Sequence, residues 1–88
     1  MVEWDEAKRQ KNLDKHRLDF RNARLMFDNR KVVHVPAFKN TESRFATIAI
    51  IGEKFYTVVW IWREDRRRII SFRRSRDGEE RAYRQIYG

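Results

Sequence analysis

Apolar positions recur at two different spacings, and the change of spacing divides the chain. Behind Asp19, Phe20, Ala23 and Phe27 fall at i, i+3 and i+7 with Met26 beside them, the period of one helical face. Asp19 suits the N-cap of that helix, Leu18 before it can pack on Ala23, and Asp28-Asn29 ends it. Upstream, Asp5 is placed to cap a helix running to about His16. Beyond residue 31 the pattern becomes that of strands. Val32, Val33 and Val35 form a short β-branched run that meets Pro36, which fits an edge strand or a strand ending there. After a loop over Asn40 to Ser43, Phe45 to Ile51 predicts a second strand, turned by Gly52-Glu53-Lys54.

Phe55 to Trp62 predicts a third strand. Phe55, Val59 and Ile61 lie on one face and Tyr56, Val58, Trp60 and Trp62 on the other, so both faces are apolar and the strand is central. Arg68 to Arg74 predicts a fourth, joined by the tight connection Glu64-Asp65-Arg66. Asp77 with Glu80 reads as a capping box opening a last helix, with Tyr83, Ile86 and Tyr87 as its docking stripe. The expected fold is therefore α+β: two N-terminal helices, a four-stranded antiparallel sheet and a C-terminal helix, in one domain spanning residues 1–88.

Charge sharpens this picture. The chain has 21 Lys and Arg against 13 Asp and Glu, a net +8. Residues 1–31 carry +3, 32–62 only +1, and 63–88 +4, so the middle is apolar and the ends are basic. Self-repulsion of this size is relieved by an anionic partner. No run approaches the ~20 apolar residues of a membrane span, and no N-terminal segment reads as a signal peptide. With no cysteine, disulfides and thiolate chemistry are excluded. Three Trp and six Phe argue against disorder.

The arginines are the strongest chemical feature. Arg63 closes the third strand, Arg66, Arg67 and Arg68 open the fourth, and Arg73, Arg74 and Arg76 close it. Regular alternation sets Arg73 and Arg74 on opposite faces and Arg68 on the face of Arg74. Pairing around the turn gathers Arg63 and Arg68 at the far end. Guanidinium forks suit phosphate, and exposed aromatics such as Trp62 suit base stacking. The plainer alternative is that the arginines blunt sheet edges. His16, between Lys15 and Arg17, is either a cation suited to a helix C-terminus or a base kept neutral by its neighbours. His34 sits within a strand and reads as structural. Glu79 lies near Arg73, Arg74 and Tyr83, as an ion pair or a general base. The carboxylates and histidines show no metal-ligand spacing, and no cofactor motif is legible. Cations on a phosphate, with groups to take and give a proton, suffice for ribonuclease chemistry without a metal.

These positions also carry a resemblance. Trp4-Asp5, Lys8, Asn12 and Lys15-His16 fit the opening W-D-x-x-K-x-x-x-N-x-x-K-H of the BrnT family of toxins from bacterial type II toxin–antitoxin systems. Phe20, Ala23 and Phe27-Asp28 continue it. Arg44-Phe45 and Thr47-Ile48 resemble its E-R-x-x-x-I stretch, and Val58-Val59 its central strand. Arg68-Ile69-Ile70-Ser71 with Arg73-Arg74 resembles R-I-I-S-x-R-R, and Glu79 with Tyr83 resembles E-x-x-x-Y. The resemblance implies a fold similar to RelE-type toxins and a protein that degrades RNA and arrests growth; joined to the residue chemistry above, the expectation is a cytoplasmic, metal-independent endoribonuclease. The resemblance also implies neutralisation by a BrnA-like antitoxin with a DNA-binding domain, in a heterotetramer that meets operator DNA only through the antitoxin.

Carried over, the resemblance implies an RNA site from His16, Arg44, Arg63, Arg68, Arg73, Arg74, Glu79 and Tyr83. Trp62 joins them as a stacking surface. Three positions depart from the family pattern: Arg17 where Gly is common, Phe72 where Ala is expected, and a hairpin over 63–67 without its usual Gly. The first implies an altered turn and the last a shifted Arg63. Two rival readings keep the same resemblance: a basic nucleic-acid-binding module without catalysis, and an antitoxin-binding protein without RNA affinity.

Overall fold

A computed structural model of the protein describes residues 2–39 and 42–88. Its elements run β1 (Val2–Trp4), α1 (Glu6–His16), a 3-10 helix (Phe20–Phe27), β2 (Val32–Lys39), β3 (Glu42–Ile51), β4 (Lys54–Arg63), β5 (Arg66–Arg74) and α2 (Asp77–Tyr87). The strands form one sheet in the order β1-β5-β4-β3-β2. β2 to β5 are antiparallel neighbours, and β1 runs parallel to β5 with Val2, Glu3 and Trp4 opposite Arg67, Arg68 and Ile69.

The expected four-stranded antiparallel sheet with two N-terminal helices is thus corrected to a five-stranded mixed sheet with a strand ahead of the first helix. Three residues are too few to show a period. Their placement comes from β5, whose outer edge needs partners for its amides and carbonyls. Glu3 adds an ion pair, its carboxylate accepting from Arg68 Nη1 at 2.9 Å.

The cap carboxylates act locally. Asp5 accepts from the Ala7 and Lys8 amides at 2.8 and 3.2 Å, and Asp19 from the Arg21 amide at 2.9 Å. The second helix is 3-10 rather than α, yet Phe20, Ala23 and Met26 are fully buried. At α2 the expected Asp77/Glu80 pair is displaced by one position: the Arg76 amide donates to Glu79 Oε1 at 2.8 Å. β2 runs through Pro36 to Lys39 because the outermost strand tolerates a residue without an N–H. Of the expected loop at 40–43, Asn40 and Thr41 lie outside the described residues, and Glu42 and Ser43 belong to β3.

The two expected turn distortions resolve in the backbone. Arg17 takes the left-handed conformation as the C-cap of α1 (φ 60°, ψ 27°), and its amide donates to Leu13 O. Glu64 does the same in the β4–β5 turn (φ 57°). Both accept a conformation that glycine adopts at less cost.

Each face of the sheet has its own cover. The 3-10 helix packs on Ala49, Val58, Trp60, Ile69 and Phe72. On the other face, Tyr83 of α2 packs on Val33, Ile48 and Phe55. A bulge decides which β5 side chains meet which cover. Trp60 pairs with Ile69 and Val59 with Ser71, so Ile70 is the extra residue. Ile69 and Phe72 therefore share a face, and alternation resumes out of phase. Arg68 consequently lies opposite Arg74 and on the side of Arg73, which corrects the pairing expected from regular alternation. Asn12 fixes the strand just past the bulge. Its Nδ2 donates to Phe72 O at 2.8 Å and to Leu18 O at 2.9 Å, and its Oδ1 accepts from the Phe72 amide at 3.1 Å. This buried side chain stands where β1 no longer covers the β5 edge.

Candidate nucleic-acid interface

Lys8, Lys11 and Lys15 lie at i, i+3 and i+7 of α1, on one helical face. With His16 they line an open cavity of about 260 Å³ whose floor is Ile70 and Ser71. The same two residues border a second hollow of about 350 Å³, lined by Lys39, Arg44, Arg73 and Arg76. The hollows join into one basic groove, running from the β5 edge onto the sheet face beside α2. Among the described residues Lys8, Lys11, Lys15 and Arg76 form no ion pair.

His16 is half-buried in this groove. Its pKa lies below the usual histidine value of 6.5, first through desolvation and then through the charges of Lys15, Arg73 and Arg76. At neutral pH it is an uncharged imidazole among cations, the state in which it can accept a proton.

Arg73 is held rigidly. Its Nη1 and Nη2 donate to Glu79 Oε1 and Oε2 at 2.8 and 2.9 Å, and its side chain is only 12% exposed. Thr57 donates to Glu79 Oε1 at 3.0 Å and accepts from Ser75 Oγ at 2.7 Å, which gives that hydroxyl chain one direction. Burial pushes the Glu79 carboxyl up. Arg73, the Arg76 amide and Thr57 together outweigh it and bring the pKa below the ordinary value. Glu79 is therefore an ionised brace for Arg73 that also caps α2.

The remaining candidates lie elsewhere. Arg44 borders the groove and is paired with Glu42. Arg63 and Arg68 gather with Arg66 at the far end of the sheet around Glu3, whose pKa is lowered first by the Arg68 hydrogen bond. Arg74 is on the opposite face from Arg73, where its Nε donates to Phe55 O at 3.2 Å and its guanidinium lies 5.5 Å from the Tyr56 ring centre. Tyr83 is buried under α2, edge-on to Phe55 at 5.3 Å, with its hydroxyl 3.4 Å from Lys31 O. Trp62 is 51% exposed beside Trp60 on the 3-10 helix side of the sheet. Of the site candidates, His16, Arg44 and Arg73 border the groove, with Glu79 behind Arg73.

The groove also holds residues that sequence reasoning did not single out as site residues. Lys11 and Arg76 are cations of its wall. Asn12, named only as part of the opening motif, holds the edge of its floor. The signal for the lysines was their helical spacing, which the tally of a net +3 over residues 1–31 concealed. Among the described residues no three His, Asp or Glu side chains converge as a metal site, and no helix is long and apolar enough to cross a membrane.

Residues 4–79 match the model of a family described as ribonuclease toxin, BrnT, of type II toxin–antitoxin system. No curated protein matches the chain.

Proposed function

Because the chain belongs to the BrnT family of ribonuclease toxins, we propose that it cleaves RNA in the basic groove between α1 and the end of β5, with His16 as general base. The lysine row of α1 and Arg76 track the phosphate backbone, and Arg73, immobilised by Glu79, faces the scissile phosphate. His16 takes the proton of a 2′-hydroxyl. The 2′-oxygen then bonds to phosphorus, the bond from phosphorus to the 5′-oxygen breaks, and the leaving oxygen takes a proton from water in the open groove. The products are a 2′,3′-cyclic phosphate and a 5′-hydroxyl. The fixed cations offset charge developing on the phosphoryl oxygens, and no metal is required.

The observation that carries this reading is the place of His16 in the groove wall, beside Lys15 and within the field of Arg73 and Arg76. Arg63, Arg68, Arg74 and Tyr83 have structural roles in it: the first two around Glu3, the others packed on the sheet. The partners proposed are a BrnA-like antitoxin with a DNA-binding domain, in a heterotetramer that meets operator DNA only through it, in the bacterial cytoplasm, where RNA cleavage arrests growth.

The test is cleavage of labelled single-stranded RNA in excess EDTA. The wild-type protein cuts, and His16→Gln loses roughly 100-fold or more in kcat/KM while still binding RNA. The wild-type rate falls on acidification with a midpoint below the ordinary histidine value of 6.5, because only the neutral imidazole acts and its pKa is depressed. Full activity of His16→Gln, or a requirement for added divalent metal, overturns this mechanism. RNA affinity also weakens steeply with salt as counterions are released.

A further inference from the structure

On the opposite face of β5 from Arg73 lies Arg67, in different surroundings. Its guanidinium carbon sits 4.4, 4.8 and 4.9 Å from the ring centres of Phe27, Trp60 and Trp62. Stacking of this kind occupies the faces of the cation and leaves its edge to form in-plane hydrogen bonds. Among the described residues that edge is unused: Nε is enclosed and has no hydrogen-bond partner, and Arg67 forms no ion pair.

A cavity of about 370 Å³ opens beside it. Its walls include Met26, Phe27 and Val32, and no carboxylate lines it. The other guanidinium there, Arg30, is already held by Asp28 at 2.8 and 2.9 Å. His34 is fixed with Nδ1 at 2.7 Å from Thr47 Oγ1. The pocket therefore presents one unpaired guanidinium at the side of a chamber of mixed lining, with Asn29, Arg30 and His34 as its polar wall and Trp62 exposed beside it.

We infer that this cavity is the anchor pocket for a carboxylate side chain of a protein partner, the antitoxin implied by the family. An Asp or Glu carboxylate pairs with the Nη end of the half-buried Arg67 side chain, its methylene stem lies on Phe27, and the partner's backbone covers Trp62. One charge meets one charge, and covering the pair with the partner gives specificity. A nucleic-acid backbone asks for the reverse, several cations in a row at phosphate spacing, which is what the groove on the other side of the sheet supplies. The assignment rests on the toxin–antitoxin membership and is independent of which residues cleave RNA.

The experiment uses the full chain with its antitoxin. Arg67→Met and Arg67→Lys each weaken antitoxin binding by roughly 30-fold or more, while RNA cleavage stays within about twofold. A measurement on the unmodified protein guards against misfolded variants: the ¹⁵N resonance of Arg67 Nε–H shifts downfield and exchanges more slowly with antitoxin, and is unmoved by a single-stranded RNA oligonucleotide. Unchanged affinity in both variants with an unmoved Nε–H overturns the proposal. A shift on adding RNA instead assigns the pocket to nucleic acid and overturns it equally. Loss of RNA cleavage by His16→Gln tests the groove separately.

Discussion

Arg67 and Arg73 occupy the same strand and meet opposite environments. In a regular strand two residues at this even spacing share a face; the extra residue at Ile70 puts them on opposite ones. Arg73 has a bidentate carboxylate, a hydroxyl chain behind it and no aromatic ring. Arg67 has three aromatic rings and no carboxylate. The difference teaches that a guanidinium's use follows from what satisfies it internally. One braced by the chain's own carboxylate is a fixed part of the groove, and its remaining surface faces substrate. One whose edge is left unsatisfied is shaped for an oxyanion from outside.

The largest expected effect that breaks this contrast is Arg73→Ala. It strands the largely buried Glu79 carboxylate and lowers stability by about 3–5 kcal/mol in urea denaturation. Arg73→Met combined with Glu79→Leu costs less than Arg73→Ala alone, because no charge is left unpaired. A loss below about 1 kcal/mol for Arg73→Ala would show the pair to be a surface contact. Next is Asn12→Ala, which removes the partners of both the Phe72 amide and its carbonyl. It costs about 2 kcal/mol and speeds hydrogen exchange at the Phe72 amide; an unchanged exchange rate would mean that α1 does not hold the strand past the bulge. The smallest is Arg67→Met, within about 1 kcal/mol, since an apolar stem replaces a donor that has no internal acceptor. A loss as large as that of Arg73→Ala would erase the distinction between the two arginines.

What the sequence made legible were features with a period or a local partner. The central place of β4 followed from Phe55 to Trp62 being apolar on both faces, and the caps at Asp5 and Asp19 from a carboxylate just ahead of an apolar or basic helical run. Features set by distant partners were not. Val2–Trp4 is a strand only because β5 offers an edge, and Ile70 is a bulge residue only through its register with β4. That one residue made the assignment of Arg68 to the side of Arg74 come out reversed. Among the site candidates, Arg73 with Glu79 was legible as a pair in sequence and is one in space. Tyr83, equally near in sequence, turns away, because its position on α2 is apolar and faces Phe55. Arg67 was hidden among its neighbours, since nothing in the run Arg66-Arg67-Arg68 says which member meets three aromatic rings.

The parallel pairing of β1 with β5 also orders events in time. Glu3 and Arg68 are 65 positions apart, whereas β2 to β5 are joined as successive hairpins. Closing so long a loop waits until the local contacts have formed. During synthesis β1 leaves the ribosome well before the strand it will pair with, and α1 likewise waits for Phe72. The lysine row of α1 therefore meets Arg73 only late: the groove comes into being once β5 has emerged and paired.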